Sequence, residues 1–337
     1  MKMNTKVIIG KYRSEDVIYA SSSGGAFTVL YEYAIANNYS VYGVKFDKNF
    51  KVKHSRATTI EECEEFRKSK YVLSDMKLIY YQVESDLRNG KYVLFTGTPC
   101  QCEAISNYIQ LRHIETEKLL LVDLICHGAP NQKIFDEYRL ENQNQMKDDW
   151  FRFRFRGKYA QNGIVNSRSA ELYYKSGKFS YRTIKNDPFL KGYYGRLFYR
   201  KSCAECPFAN PKRISDITIG DAWGIESSKS EWNSSRGVSL VLLNTQKGLT
   251  LLSEFQNKME WVDSDLEWAV KNNSQLGRPT EMHRNRAAFF KYFHELGFQQ
   301  AVEKAMSVPL WKKCARKIKK FYLTKYRLLR KNYEKMF

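Results

Sequence analysis

Short apolar runs and alternating segments follow one another along most of the chain, and their periods predict its secondary structure. Strands are predicted at residues 6–10, 40–46, 51–56, 91–95, 119–124, 150–156, 172–174, 178–181, 214–219 and 238–243. Helices are predicted to begin near residues 27 and 101 and to cover residues 76–89, 131–147, 187–200, 247–258 and 281–306. Strands that alternate with helices predict an α/β (mixed α+β) fold, in which helices flank the main sheet.

The middle of the chain carries strand patterns with no helix pattern between them. Residues 150–156 alternate aromatic and basic side chains, which predicts a strand with one apolar and one cationic face. Such a strand could bind nucleic acid through stacking and charge, but a half-buried strand is the simpler interpretation. A hairpin that turns at Ser176 and Gly177 follows, so a β-rich insertion is predicted here.

The last thirty residues differ from the rest of the chain. Residues 308–337 hold eleven Lys or Arg and one acid, so about half of the formal charge of +20 lies there. Residues 311–336 place apolar side chains on one helical stripe and basic ones on the other face. Such a helix either lies on an anionic membrane surface or packs on the protein with its charges in water. We predict a main domain over residues 1–260 and a helical, basic C-terminal region over residues 261–337.

The apolar runs, motifs and cysteines of the sequence indicate which class of protein to expect. There is no run of 18 or more apolar residues and no signal-peptide pattern, so a cytoplasmic protein is expected. Motifs of common hydrolases and nucleotide-binding P-loops are also missing from the sequence. Seven cysteines without a signal peptide favour metal ligands or redox groups over disulfides. Cys63 and Cys314 lie in charged, helix-like surroundings and are interpreted as incidental.

Four other cysteines stand in unusual settings. Cys203 and Cys206 form a Cys-x-x-Cys-Pro element, in which one tight loop offers two thiolates to one metal centre. Cys100 and Cys126 each follow a predicted strand. Parallel strands bring their C-terminal ends to the same edge of a sheet, where ligand sites are usually found. We therefore predict that these four cysteines meet in space and hold one iron–sulfur cluster.

Other interpretations of the cysteines stay open on the sequence. The same four thiols could hold a zinc ion. The Cys-x-x-Cys pair could be a redox dithiol, although it does not open a helix after a strand. Cys102 could replace Cys100 as a ligand, and His127 could replace Cys126.

A run of three serines and two glycines, residues 21–25, leads into the helix near residue 27. We expect a serine to cap this helix and the glycines to let a ligand approach the backbone. A helix N-terminus favours phosphate, so the loop is either a phosphate site or an ordinary helix start. The basic run at residues 67–70 either faces solvent or lines an anionic cofactor.

Six motifs occur in an order that resembles the coenzyme F420 hydrogenase/dehydrogenase beta-subunit family, over roughly residues 15–245. The motifs are Ser22-Ser23-Gly24-Gly25, Ser69-Lys70-Tyr71, Phe95-Thr96-Gly97-Thr98-Pro99-Cys100-Gln101, Asp123-Leu124-Ile125-Cys126-His127-Gly128, Cys203-Ala204-Glu205-Cys206-Pro207 and Gly220-Asp221-Ala222-Trp223-Gly224. Each motif alone is modest, whereas the ordered set is specific.

Members of that family are iron–sulfur flavoproteins, so the resemblance implies an oxidoreductase with FAD beside a 4Fe-4S cluster. The flavin would exchange a hydride or two electrons with a deazaflavin or another substrate, and the cluster would pass single electrons. Carried over residue by residue, the cluster ligands are Cys100, Cys126, Cys203 and Cys206. The implied FAD contacts are Ser22, Ser23, Gly24, Gly25, Lys70, Thr96, Gly97, Thr98 and Asp221.

Many relatives carry an N-terminal ferredoxin-like module, and this sequence does not. The resemblance therefore implies a separate electron donor protein such as a ferredoxin. Short members are similar to proteins of polysaccharide biosynthesis, which by analogy implies a small-molecule or glycan-precursor substrate and contact with the inner face of the cell membrane through residues 311–336. Nucleic acid is not expected as a partner. The alternative function is a basic membrane- or nucleic-acid-binding module with a structural four-cysteine metal site and no redox activity.

Overall fold

The computed structural model describes residues 5–161, 164–165, 168–225, 232 and 236–307. The predicted basic helix at residues 311–336, together with Cys314, lies outside these residues. Among the described helices, none combines the length and the apolar character needed to cross a bilayer.

Strands and helices alternate along the described chain, which confirms the predicted α/β fold. The strands are β1 (Lys6–Tyr12), β2 (Ser40–Phe46), β3 (Val52–Ala57), β4 (Val93–Gly97), β5 (Leu119–Leu124), β6 (Trp150–Phe155), β7 (Ala160–Gln161), β8 (Ile164–Val165), β9 (Ser169–Tyr174), β10 (Phe179–Thr183), β11 (Ile217–Asp221), β12 (Ser239–Leu243) and β13 (Met259–Ser264). The helices are α1 (Glu15–Ala20), α2 (Ala26–Ala36), α3 (Ile60–Glu64), α4 (Ile79–Arg88), α5 (Pro99–Leu111), α6 (Gln132–Met146), α7 (Pro188–Tyr194), α8 (Gln246–Leu249), α9 (Leu252–Lys258), α10 (Leu266–Asn272), α11 (Arg286–Leu296) and α12 (Phe298–Ala305).

The main sheet has eight strands in the order β13-β1-β12-β11-β5-β4-β2-β3. The four strands from β11 to β2 are parallel, and the strands outside them pair antiparallel. The C-terminal ends of β4, β5 and β11 therefore share one edge. β1 points the same way as β11, because two antiparallel pairings separate them. The segment that follows β1, which contains residues 21–25, thus starts at this same edge.

The central strands are buried on both faces. In β4, Val93 and Phe95 pack against the layer that contains α4 and α5, whereas Leu94 packs against the layer that contains α2. The same alternation runs along β5. Because both faces are covered, these strands are continuously apolar in sequence, as parallel strands of α/β proteins usually are.

The predicted β-rich insertion is a separate antiparallel sheet in the order β10-β9-β6, with β7 and β8 paired nearby in sequence. One face of this small sheet packs on an aromatic core with α6, α7, α11 and α12. The register shifts between Trp150 and Arg152, and Phe151 is 55% exposed. The strict alternation predicted for residues 150–156 is therefore wrong at Phe151, because an irregularity in the ladder turns it outward.

Several predicted helices have other bounds. The helix expected near Gln101 begins at Pro99, because Thr98 and Gln101 form a capping box, so Cys100 lies in its first turn. The helix predicted over residues 281–306 is divided into α11 and α12 by Gly297, whose φ is 84°. The prediction over residues 247–258 is likewise divided into α8 and α9. The division of the chain at residue 260 stays a prediction, and β13 crosses that point while pairing with β1.

Candidate functional site

Cys100, Cys126, Cys203 and Cys206 lie near one another beside the C-terminal edge of the main sheet. Burial raises the pKa of the Cys126 thiol to about 12, and the charges of the other three cysteines act in the same direction. All three sulfurs are therefore within electrostatic reach of Cys126. The four side chains are partly accessible to solvent, and none of them forms a disulfide.

Short, well-defined turns position these cysteines. Cys126 follows β5, and its sulfur accepts a hydrogen bond from the backbone N–H of Gly128 at 3.4 Å. Gly128 has a φ of 111°, and a Cβ there would lie 2.5 Å from the ring of Tyr199. Only glycine fits this turn without strain. Cys203 ends a single 3-10 turn that starts at Lys201.

The chemistry of the donor set bears on which metal group the four thiols fit. Within the described residues, no three His, Cys, Asp or Glu side chains converge closely enough to hold a metal ion. Zinc bonded to sulfur at about 2.3 Å needs sulfurs about 3.8 Å apart in a tetrahedral site. In a four-iron cluster each thiolate binds a different iron, so the sulfurs stand farther apart. Both groups take four thiolates, so this donor set fits a four-iron cluster, and zinc stays an alternative.

The two substitute ligands considered from the sequence have other surroundings. Cys102 is fully buried among the apolar side chains between α4, α5 and the sheet, and its thiol donates to the carbonyl of Val122 at 3.5 Å. Burial holds the pKa of this thiol well above its usual range. Desolvation lowers the pKa of His127, while Asp221 and Arg156 act on it in opposite directions. His127 thus lies close to an ion pair.

The Ser-Gly loop at residues 21–25 is held by its own hydrogen bonds. The hydroxyl of Ser22 accepts from the backbone N–H of Ser69 at 2.7 Å, and that of Ser23 donates to the carbonyl of Val238 at 2.8 Å. Gly25, with a φ of 95°, is the N-cap residue of α2, and the backbone N–H of Ala26 donates to the hydroxyl of Ser239 at 3.4 Å. The predicted serine cap is therefore wrong, because the hydroxyls of the loop serines bond to other segments.

Close packing against neighbouring strands explains why residue 24 is a glycine. A Cβ at this position would lie 2.5 Å from the carbonyl oxygen of Gly10 and 2.6 Å from the backbone nitrogen of Ser239. The loop is thus pressed against β1 and β12. Whether a ligand also approaches the backbone here stays a prediction.

Thr96, Gly97 and Thr98 build the turn that carries Cys100. Thr96 is buried, and its hydroxyl donates to the carbonyl of Tyr42 at 2.9 Å. A Cβ on Gly97 would lie 3.0 Å from the ring of Phe95. The hydroxyl oxygen of Thr98 is 3.2 Å from the sulfur of Cys100. These residues therefore fix the turn that positions Cys100. Their contact with FAD stays a prediction.

Two lysines of the basic run at residues 67–70 differ in their partners. The ammonium of Lys70 donates to the carbonyls of Glu65 and Arg67 at 2.9 and 2.7 Å, and burial lowers its pKa to about 7. The ammonium nitrogen of Lys68 is buried without a hydrogen-bond partner among the described residues, 5.6 Å from the ring centroid of Tyr19. Burial lowers the pKa of Lys68 to about 8.

Lys158 and Arg156 bring further positive charge to this region. Lys158 is 2% exposed, and its ammonium donates to the carbonyls of Ile18 and Ser23 at 2.5 and 3.0 Å. Burial, followed by the charges of Lys68 and Arg156, lowers its pKa to about 7. Arg156 forms a two-pronged ion pair with Asp221 at 2.6 and 3.0 Å. Asp221 thus already has a cationic partner.

The sequence of residues 90–265 matches a family model, which is described as the C terminus of the coenzyme F420 hydrogenase/dehydrogenase beta subunit. The match covers more than half of the 337 residues and includes all four clustered cysteines. The chain belongs to this family. The resemblance carried by the six motifs is confirmed, and a hydrogenase/dehydrogenase family indicates an oxidoreductase.

The fold has a counterpart among solved structures. One chain of the F420-reducing NiFe hydrogenase complex from Methanosarcina barkeri, in a xenon derivative, superimposes with a TM-score of 0.55 at 18% sequence identity. The superposition covers 82% of this chain and 90% of that chain. At this identity the likeness shows the fold alone. No curated protein matches the chain.

In this member of the F420 hydrogenase beta-subunit family, the cysteines and the buried cations approach the same sheet edge. Asp221 lies between the cysteines and the cations. It ends β11 at this edge and pairs with Arg156, whose charge also acts on Lys158 and Lys68. The sequence analysis did not single out Lys158 or Arg156. The signal in the sequence was the basic series Arg152, Arg154, Arg156 and Lys158, which continues at period two beyond the apolar part of the strand.

Proposed function

We propose that this protein is an iron–sulfur flavoprotein that moves electrons between a 4Fe-4S cluster, FAD and a substrate. The observation that carries the proposal is the approach of four thiols, from three separate segments of the chain, to one place. Thiolates are the ligands that iron–sulfur clusters take, and four of them complete a cubane cluster. Family membership makes an oxidoreductase the enzyme class.

Cys100, Cys126, Cys203 and Cys206 would hold the cluster, which supplies single-electron transfer when bound. The chain contributes the turns that position the four sulfur atoms. Thr98 places its hydroxyl against the sulfur of Cys100, and Gly128 donates its N–H to that of Cys126. Hydrogen bonds to ligand sulfurs are one means by which proteins adjust cluster potential.

Buried positive charge supports FAD as the second cofactor, which supplies hydride or two-electron exchange when bound. Lys68 has a buried ammonium without a described partner, and an uncompensated buried cation destabilises a protein. The pyrophosphate of FAD is the kind of anion that would complete this site. Lys158 fixes the carbonyl of Ser23 and so orders the neighbouring loop. Ser22, Ser23, Gly24, Gly25 and Lys70 would border the flavin there, with Thr96, Gly97, Thr98 and Asp221 on the cysteine side.

We further propose a separate electron donor protein such as a ferredoxin, and a small-molecule or glycan-precursor substrate. The structural counterpart comes from a hydrogenase complex, which is consistent with electron-transfer partners. We also propose a cytoplasmic location with peripheral contact at the inner face of the membrane through residues 311–336.

The deciding experiment is anaerobic purification followed by a visible spectrum, with iron, sulfide, zinc and flavin quantified on the same sample. Four iron and four sulfide per chain, one FAD and a broad band bleached by dithionite are expected. The alternative, a basic binding module with a structural metal, would give zinc or no metal and no flavin, even after anaerobic reconstitution. That outcome would end the redox proposal.

A further inference from the structure

A row of hydrogen-bonded polar side chains leads from the interior of the main sheet to the sulfur of Cys100. This polar row consists of His54 on β3, Ser74 in the segment before α4, and Gln101 and Thr98 at the start of α5. The first three members are buried. Water therefore has little access to the row, and contacts within the protein decide where each proton lies.

The inner end of the polar row allows one arrangement of protons. The Nε2 atom of His54 lies 3.0 Å from the carbonyl oxygen of Thr96, which can only accept, so Nε2 carries the proton. Burial lowers the pKa of His54 to about 4, so the ring is neutral and its Nδ1 atom is an acceptor. The hydroxyl of Ser74 therefore donates to Nδ1, at 2.9 Å. The oxygen of Ser74 is left to accept a proton from the next member of the row.

The amide of Gln101 continues the row in the same direction. Its Nε2 atom donates to the hydroxyl oxygen of Ser74 at 2.9 Å, and its Oε1 atom accepts from the backbone N–H of Thr98 at 3.1 Å. Because a backbone N–H can only donate, the outer contact requires the same amide orientation as the inner one. The amide is thus held at both ends, with its oxygen toward Thr98.

The hydroxyl of Thr98 has one proton and two acceptors within reach. Its oxygen lies 3.0 Å from Oε1 of Gln101 and 3.2 Å from the sulfur of Cys100. A cysteine sulfur bound to a metal centre has no proton, so Thr98 is then the donor in this contact. Oε1 of Gln101 keeps its hydrogen bond from the backbone of Thr98 when the hydroxyl proton turns to the sulfur. The turn therefore leaves the amide oxygen with a partner.

We propose that the polar row positions the hydroxyl proton of Thr98 on the sulfur of Cys100 and thereby raises the reduction potential of the iron–sulfur cluster. His54, Ser74 and Gln101 are positioning residues, because each holds the next member of the row in place. Reduction adds negative charge to a cluster and its ligand sulfurs, so a hydrogen bond to a sulfur stabilises the reduced form. This inference rests on the proposed function, because the cluster is part of that proposal.

Redox titration of the cluster in the full chain measures the effect of this hydrogen bond. Thr98→Val removes the hydroxyl and should shift the reduction equilibrium about tenfold toward the oxidised cluster, which lowers the potential by about 59 mV for one electron. Thr98→Ser keeps a hydroxyl and should keep the potential near that of the wild type. Ser74→Ala interrupts the row before Gln101 and should shift the equilibrium about threefold in the same direction, or about 28 mV.

Thr59→Val is the matched control, because Thr59 also precedes a helix. Its hydroxyl accepts from the backbone N–H of Glu62 at 3.3 Å at the start of α3. The preceding strand, β3, runs antiparallel to β2, so Thr59 lies at the opposite edge of the sheet from the cysteines. This variant should lower stability and leave the potential unchanged. An unchanged potential in Thr98→Val would overturn the inference, and one in Ser74→Ala would remove His54 and Ser74 from it.

NMR of the imidazole nitrogens in the full chain tests the row without relying on a cluster. The signal of His54, assigned by its loss in His54→Phe, should show a neutral ring with its proton on Nε2. A proton on Nδ1 would overturn the inference, because Ser74 would then donate toward Gln101 and reverse the row.

Iron and sulfide analysis of every sample reports separately on the proposed function. If no cluster is found, Co²⁺ is bound to the cysteines instead, and the sulfur-to-cobalt absorption band is compared between variants. A hydrogen bond lowers the energy of the sulfur lone pairs, so Thr98→Val should move this band to longer wavelength. An unmoved band would overturn the role of Thr98, whereas a moved band without any cluster would contradict the redox proposal alone.

Discussion

At the scale of single residues, the candidate site contains three buried lysines, and the loss of solvent disfavours the charged form of each. Lys70 and Lys158 have pKa values of about 7, and Lys68 has one of about 8, chiefly because of burial. Each value lies below that of a lysine in water, which is about 10.4. The folded, flavin-free protein therefore binds fewer protons than the unfolded chain between about pH 7 and 10. Stability of the flavin-free protein should accordingly rise with pH across this window.

Anion binding should show the opposite pH dependence. An anion needs charged ammonium groups, so the affinity of the flavin-free protein for pyrophosphate should fall as pH rises from 7 to 9. Titration calorimetry at several pH values measures this fall, which should approach tenfold per pH unit for each lysine that loses its proton. Lys68→Met should weaken binding and flatten the curve, whereas Lys133→Met, at an exposed position, should do neither. A pH-independent affinity would argue against lysines as the anion ligands.

The cysteines allow a matched pair of substitutions. Cys203→Ala should abolish or severely lower iron content after anaerobic reconstitution, because a cluster needs its thiolate ligands. Cys63→Ala should retain full iron, since Cys63 is fully buried in the core and burial raises its pKa to about 12. Iron and sulfide analysis checks both variants. Equal iron in the two would remove Cys203 from the ligand set.

At the scale of elements, the approach of β11 to the segment after β5 depends on Gly220. A Cβ at this position would lie 2.5 Å from the Cδ1 atom and 2.9 Å from the Cγ1 atom of Ile125. Ile125 immediately precedes Cys126. The first glycine of the Gly-Asp-Ala-Trp-Gly motif therefore sets the position of a cysteine that follows the neighbouring strand.

Gly220→Ala should displace Ile125 and with it Cys126. We expect a lower iron content or a shifted visible spectrum, with a loss of unfolding free energy of about 1–3 kcal/mol from overpacking. Gly277→Ala is the control, because its φ is not positive and the nearest atoms to its Cβ position are a methyl group of Val270 at 3.2 Å and the carbonyl oxygen of Ser274 at 3.8 Å. Unaltered iron binding in the Gly220 variant would show that Ile125 can move without displacing Cys126.

Much of the main sheet is predictable from the sequence, because strands buried on both faces leave continuous apolar runs. β2 and β5 have the predicted bounds, and β4 and β5 pair in parallel as the position of the two cysteines required. The order of the flanking strands is not predictable in this way, since β1 pairs with β12 and β13, which lie about 230 and about 250 residues further along the chain. The irregularity in the β6–β9 ladder at Phe151 was not predictable either, because the sequence alternates through this point without interruption.

The candidate site was only partly predictable, for a different reason. Cysteines are rare, so their positions stand out. Lys158 and Arg156 belong to a chain with 56 Lys and Arg, where one more basic residue carries no signal. Their importance comes from burial, which depends on how the small sheet meets the main sheet.

At the scale of the whole molecule, one buried ion pair joins the two sheets. Arg156 follows β6 in the small sheet, and Asp221 ends β11 in the main sheet. The side chains of this pair are only 9% and 17% exposed. Removing one partner leaves an unpaired charge in a poorly solvated place, which typically lowers stability by about 3–5 kcal/mol.

Arg156→Gln should therefore be strongly destabilising, whereas the double variant Arg156→Gln with Asp221→Asn should recover a large part of the loss. Urea unfolding of the wild-type protein, the two single variants Arg156→Gln and Asp221→Asn, and the double variant measures the difference and gives the coupling between the side chains. Equal destabilisation in the single and double variants would mean that the pair does not hold the sheets together.

The segment between Cys126 and Cys203 leaves the main sheet and returns to the same place. Its two ends meet directly, since the backbone N–H of Arg200 donates to the carbonyl of Ala129 at 3.3 Å. An insertion whose ends are adjacent can be lengthened, shortened or exchanged without moving its host. Evolution could thus replace the small sheet in related enzymes and alter which molecules they recognise, while the four cysteine positions and the strands beneath them are inherited unchanged.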